Sequence, residues 1–365
     1  MSNNTFNIVG KIGMNKGTDK FKPFEVTDNG KGWNSKRINF FVKNDLNYQN
    51  VTVRGGYSDK NKVVYTLVKN EATGKYESKQ IPWDKRLEKS NIEKVAEFKK
   101  FVIVMGKDLE GNDIRMEFIH EWDFIDNVKF ICEDEQYKDK LWRVTGEVVT
   151  SEWKGKYYTN FVPSRMYLVD DETEQVSEGV LEFHYGEGAI VDCFEDLKKI
   201  VLNGYTRQYD GSKKEDIGVP VKGLEIDFSN VAEEKREKIY KKYLEIFTVE
   251  GEEFKKIGLK VKYLKGTESV EFDESMLDEE QLENIELGLT TLEEVKAEMG
   301  VGKGNFVEVT KVAGLARGYS KGGVDTGMTL ENYIPKDDVM EDLHEDEVVE
   351  DEDDDELDLD LDLDL

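Results

Sequence analysis

Cations and aromatic rings alternate along the first part of this chain. Lys20, Lys22 and Phe24 are followed by Lys31, Trp33, Lys36 and Arg37, then by Arg54, Tyr57, Lys60 and Lys62, then by Trp83, Lys85 and Arg86. A second series holds Trp153, Lys154, Lys156, Tyr157 and Tyr158, with Arg165 and Tyr167 beyond it; a third holds Tyr205, Arg207 and Tyr209. The chemistry open to such a pattern is non-covalent. Ammonium and guanidinium groups neutralise phosphates, and flat rings offer faces to unpaired bases at about 1–3 kcal/mol per stacked base. Each of these residues also has a plainer role, as surface charge or as core. Phe40, Phe41, Phe101, Phe118, Phe161 and Trp142 lie inside apolar runs or open a strand, and are expected in the core.

Covalent and metal chemistry is poorly supplied. Gly302-Lys303 sits in a Gly-rich stretch, but Gly304 follows where a phosphate loop needs Ser or Thr, and Ala297 stands where its first Gly belongs. His120, Glu121 and Asp123 are the nearest approach to a ligand set, and in a strand such a trio lies on a solvated face. No Gly-x-Ser-x-Gly occurs. The two cysteines, Cys132 and Cys193, are far apart, which excludes CxxC spacing and fits a reducing cytoplasm. The expectation is a protein without catalysis, metal or cofactor.

The elements that must position the rings read mainly as strands. Residues 6–12 alternate apolar and polar around Gly10, and a Gly inside a strand marks a bulge or bend. Arg37-Ile-Asn-Phe-Phe-Val-Lys43, 51–54, 62–68, 101–105 and 113–119 follow as strands, with a short helix at 91–100 capped by Asn91. Residues 142–148 repeat the layout of 6–12, and further strands follow at 160–169, 180–185, 189–194, 219–227 and 254–264. The clearest helix is 231–247, capped by Ser229 or Asn230. This predicts a mainly β chain with a few helices: two OB-like β-barrels at 1–135 and 136–270, then acidic helices and a Gly-rich arm at 271–336, then a disordered acidic tail at 337–365.

Charge is segregated along the chain. Net charge is −28 over 365 residues, yet residues 1–107 carry 21 Lys and Arg against 11 Asp and Glu. Residues 337–365 carry 18 acids and no Lys or Arg, too little apolar surface to fold alone. Leu357, Leu359, Leu361, Leu363 and Leu365 alternate with Asp, so an extended tail puts all five leucines on one side, a pattern suited to docking on a partner. No apolar run reaches the roughly 18–20 residues that span a bilayer, so no membrane partner is expected.

The order of barrels, Gly-rich arm and acidic tail resembles single-stranded DNA-binding proteins of bacteriophages and bacteria. The segments that begin at Phe6-Asn-Ile-Val-Gly-Lys-Ile and at Val144-Thr-Gly-Glu-Val are similar to segments of such phage proteins. The resemblance implies sequence-tolerant coating of single-stranded DNA in replication, recombination or repair, with the tail recruiting replication and recombination proteins. The tail departs from the bacterial pattern, because it ends in repeated Asp-Leu rather than in Pro and a terminal Phe. The alternative is a non-catalytic interaction or assembly module whose acidic tail binds basic partners.

Overall fold

The computed structural model describes residues 4–18, 21–44, 47–70, 72–153, 156–210, 214–251, 253–268, 305–319 and 322–333. The expected acidic helices at 278–299 and the tail at 337–365 lie outside the described residues. Apolar alternation begins in β1 (Thr5–Met14), which buries Phe6, Ile8 and Ile12. After β2 (Phe24–Asp28), it continues in β3 (Trp33–Asn44), which buries Ile38, Phe40 and Val42, and in β4 (Asn47–Ser58), which buries Val51 and Val53. Each such side chain contributes roughly 1.5–3 kcal/mol when removed from water.

Next comes an insertion: β5 (Val63–Lys69), β6 (Tyr76–Pro82), the single-turn α1 (Lys89–Ile92), β7 (Phe101–Lys107) and β8 (Asp113–Phe118). The β5–β6 hairpin is a separate sheet over a small core of Val64, Ile81, Val95 and Ile119. The expected helix at 91–100 is α1 followed by a 3-10 turn at Glu97–Lys99, and Asn91 lies within α1 rather than capping it. Its side chain donates instead to the Lys85 carbonyl at 2.9 Å.

The first barrel is completed by α2 (Glu121–Glu133), β9 (Leu141–Trp153) and β10 (Lys156–Leu168). β1 pairs with β3 and β9, β3 with β4, and β9 with β10; β10 then runs parallel to β4 at Phe161↔Val51 and closes the ring. Five strands with a helix between the third and fourth form an OB-type barrel. The helix at 121–133 is not among the elements expected from the sequence, although Phe124, Ile125, Val128 and Ile131 have helical spacing and all enter the core. Two of the barrel's strands lie at 141–168, beyond the division expected at 135/136. Residues 142–148 resemble 6–12 because β9 is the hydrogen-bonded neighbour of β1, not the start of a second barrel.

The second barrel begins at β11 (Ser177–Tyr185). It continues through β12 (Ile190–Cys193), α3 (Phe194–Leu197), β13 (Lys199–Asp210), β14 (Glu215–Asp227), α4 (Glu233–Phe247), β15 (Lys255–Glu268) and β16 (Asn305–Leu315). Here β16 runs parallel to β14 at Leu224↔Thr310, in the role of β10. The alternating Phe306-Val-Glu-Val-Thr-Lys-Val312 is thus a barrel strand and not part of a loose arm. No side chain caps α4: Ala232 is its N-cap, and Ser229 is held by Asp227. After β16 the chain returns to form β17 (Val324–Asp325) against β15.

The barrels are joined through their first strands. β1 changes partner at Gly10: residues 11–14 pair with β3, and residues 5–8 pair antiparallel with β11, from Thr5↔Val180 to Ile8↔Ser177. A Cβ at Gly10 would stand 2.3 Å from the Lys43 carbonyl oxygen, so only glycine fits the changeover. One apolar cluster runs through both barrels, from Phe40 and Trp142 in the first to Phe183 and Leu259 in the second.

Candidate nucleic-acid interface

Strand alternation that sends Ile38, Phe40 and Val42 inward sends Trp33, Arg37, Asn39, Phe41 and Lys43 outward. β4 adds Tyr48, Asn50, Thr52 and Arg54 to the same outer face, through Phe41↔Asn50, Asn39↔Thr52 and Arg37↔Arg54. The Phe41 and Tyr48 rings stack at 4.8 Å and 27°. Phe41 lies over Gly13, where a Cβ would stand 2.6 Å from the ring. Tyr48 donates to Asn15, Asn15 to Asn50, and Thr52 to Asn39, so the polar groups between the rings are fixed. Burial raises the Tyr48 phenol above its ordinary pKa, so it stays a neutral donor.

Two arginines, Arg37 and Arg54, are register partners on this face of the sheet. Like charges directly opposite on one face are destabilising by themselves. Arg37 reaches Glu25 at 3.2 Å through one terminal nitrogen, while its buried Nε has no partner among the described residues. Arg54 is exposed and has no ion pair among the described residues. Trp33, 45% exposed, begins the strip and also lines the mouth of a cleft of about 630 Å³. The insertion forms the other wall with Tyr65, Phe98, Lys99 and Phe101. A run of rings and cations therefore passes from the Phe41–Tyr48 stack across the arginine pair to Trp33 and into the cleft.

Several residues expected on a binding surface are committed inside the protein. Lys36 is 5% exposed; its ammonium lies 2.7 Å from both Asp126 oxygens and 4.1 Å from the Trp122 ring centre. Arg86 makes two 2.8 Å bonds to Asp123 and lies 4.1 Å from the Trp83 ring. Tyr57 packs on Trp83 at 4.2 Å and on Trp122 at 5.0 Å. These residues form a cation–aromatic cluster that fixes the insertion to β4 and α2. His120 belongs to it: its ring lies 4.9 Å from Trp83 and its Nδ1 accepts from the Trp122 amide, capping α2. Burial lowers its pKa, which keeps that nitrogen an acceptor. The trio of His120, Glu121 and Asp123 thus starts a helix, and no metal-ligating cluster occurs among the described residues.

Elsewhere the placements are mixed. Lys22 is exposed, and Phe24 is half-buried with the Lys129 ammonium 5.3 Å above it. Lys62 pairs with Asp59 at 2.9 Å. Arg165 donates to the Glu97 carbonyl at 3.0 Å. Trp153 and Lys156 are register partners at the tip of the β9–β10 hairpin, and Tyr157 lines a cavity of about 270 Å³ against the second barrel. Lys20 and Lys154 lie outside the described residues. Tyr205 is 4% exposed, and burial pushes its phenol up to about 12; Arg207 is paired with Asp216.

Phe41 and Phe101, expected in the core, lie on this surface, and Tyr48 and Lys43 join them there. Period-two alternation through Arg37-Ile-Asn-Phe-Phe-Val-Lys43 carries the signal, because Phe40 inward forces Phe41 outward.

No family model matches this sequence. No curated protein matches it. Among solved structures the chain is similar to the wild-type single-stranded DNA-binding protein from Thermus aquaticus, at 8% sequence identity and a TM-score of 0.29, over 86% of this chain and 92% of that one. It is also similar to a deletion mutant of that protein, at 8% identity and a TM-score of 0.31, over 86% and 93% of the two chains. Likeness at this level carries no argument about function, which has to come from the chain's own residues.

Proposed function

We propose that this chain binds single-stranded DNA without sequence preference and without catalysis, on the outer face of its first barrel. The carrying observation is the facing pair Arg37 and Arg54, set between Trp33 and the Phe41–Tyr48 stack on one exposed sheet face. A phosphate at the pair removes the repulsion between the guanidiniums, and the rings on either side take bases. OB-type barrels offer the face of their second and third strands to oligonucleotides, and β3 and β4 hold that place here.

The resemblance to bacteriophage proteins supports a role in phage DNA replication, recombination or repair, in the cytoplasm of a bacterial host. No helix among the described residues is long and apolar enough to cross a membrane. In this reading the acidic tail competes for the basic face at a tethered concentration in the mM range, and its leucines dock replication or recombination proteins once DNA displaces it.

Anisotropy titrations of labelled oligo-dT at several salt concentrations test the reading. Affinity is expected to fall steeply with salt and to fall further in Trp33→Ala and Phe41→Ala. Salt-independent binding, or binding indifferent to Trp33, Phe41 and Arg54 together, rejects it. If oligonucleotides do not bind at all, and the tail instead captures basic proteins, the chain is an interaction module.

A further inference from the structure

Part of the outer face of the second barrel is covered by the chain itself. On that face His184 of β11 is the register partner of Tyr205 of β13, and Arg207 is the register partner of Gly218 of β14. Tyr333, arriving from beyond β17, pairs with Gly218 and lays its ring where a Cβ at 218 would stand 2.2 Å away. The ring stacks on Phe254 at 4.0 Å and 13°, and lies 5.0 Å from Tyr205. Its hydroxyl is 2.9 Å from His184 Nδ1, and His184 Nε2 is 3.2 Å from Glu182. Tyr333 ends 6% exposed and His184 fully buried.

This is a lid over an outer surface, not part of the barrel interior. The core cluster contains Leu181, Phe183, Tyr185, Leu202 and Leu224, but not Tyr205, Phe254 or Tyr333. Among the described residues, the covering segment's strand pairings to the sheet are Lys255↔Asp325, Lys256↔Val324 and the Gly218 bridge. Its turns are closed by its own side chains: Asp325 accepts from the Gly327 amide and Asn332 from the Thr329 amide. It is therefore held to the barrel at its ends and shaped from within. In the first barrel the corresponding place beside the first strand holds the Phe41–Tyr48 stack, whose second ring comes from β4. In the second barrel β14 offers Gly218 there, and the second ring comes from outside the barrel.

We infer that the outer face of the second barrel is a second base-stacking site for single-stranded DNA, held shut by residues 324–333, with Tyr333 in the position of a base. The inference rests on reading the first barrel as a DNA-binding face. A nucleobase stacks on Phe254 with the near-parallel geometry that Tyr333 has now, with Tyr205 beside it. Arg207, which bonds Asp216 at the rim, supplies the cation for the adjoining phosphate. Short oligonucleotides occupy the first barrel only, and longer ones displace the lid.

The test uses the full chain with Lys256→Cys and Val324→Cys, register partners whose disulfide holds the β17 end of the lid on the barrel and limits its swing, with Tyr333 unsubstituted. Mass spectrometry confirms the bond. Titrations with oligo-dT of increasing length compare oxidised and reduced protein. Short oligonucleotides are expected to bind both forms equally. Long ones are expected to bind the reduced form about tenfold more tightly and to cover a longer site. Tyr333→Ala without the lock is expected to match or exceed the reduced form on long oligonucleotides. Equal affinity and equal site length for locked, reduced and Tyr333→Ala protein, with normal binding of short oligonucleotides, overturns the lid and leaves the first-barrel reading standing. Absence of all binding overturns both.

Discussion

At the scale of single residues, cations of one type have opposite jobs according to what faces them. Arg54 faces Arg37 and solvent, so Arg54→Ala is expected to leave the fold intact. It should lower the salt dependence of oligo-dT binding by roughly 0.7 in log–log slope, the value for one lost single-strand phosphate contact. Anisotropy against salt reads this directly. Arg86 faces Asp123 with little water at either side chain, 16% and 11% exposed. Arg86→Ala strands a buried carboxylate, with an expected cost of about 3 kcal/mol in a denaturant titration and an unchanged salt slope. In the sequence Lys36, Arg54 and Arg86 look alike. Alternation along β3 separates Lys36 from Arg37, since one of them has to point inward. Nothing local to Arg86 announces Asp123, which is 37 positions away. Rings follow the same logic: Phe40 and Phe41 are neighbours in sequence and opposite in fate.

At the scale of elements, most strands and α4 were legible because period-two alternation and an amphipathic stripe are local properties. α2 is hard to see in the sequence although Phe124, Ile125, Val128 and Ile131 carry the helical period, because the preceding strand ends only at Phe118, too near for the change of period to stand out. Ile125→Ala is expected to cost about 2–5 kcal/mol, since this side chain is fully buried in the main core; thermal or chemical unfolding checks it. The bend in β1 was legible from Gly10, but its purpose was not. Which strand takes each half of β1 depends on β11, some 170 residues later. Gly10→Ala is expected to destabilise both barrels together, because the added methyl collides with the Lys43 carbonyl at the changeover. A single shifted transition seen by both near- and far-ultraviolet circular dichroism is the predicted record; loss of one barrel alone refutes it.

At the scale of the whole molecule, the barrel type was legible but the barrel limits were not. Hydrogen-bonded neighbours within one barrel share a pattern, so β9 imitated the start of a second copy. A fragment of residues 1–135 lacks β9 and β10, which pair with β1 and close the ring, and is expected to remain unfolded by amide dispersion in nuclear magnetic resonance. The charge asymmetry bears on the molecule as a whole as well. Deleting residues 337–365 removes 18 acids, and under the proposed competition it should tighten oligo-dT binding at low salt with the gain fading as salt rises. An unchanged affinity at low salt would mean that the tail does not visit the face.

The antiparallel pairing of β1 with β11 also has a mechanical meaning. Under the proposed binding, a pull on a strand held at Arg37 and Arg54 loads β3, passes laterally into β1, and is shared with β9 on one side and β11 on the other. Tension along β1 shears those ladders in parallel and does not unzip them one bond at a time. If the first barrel binds DNA as proposed, optical-trap traces should show release of DNA at forces below those that unravel either barrel.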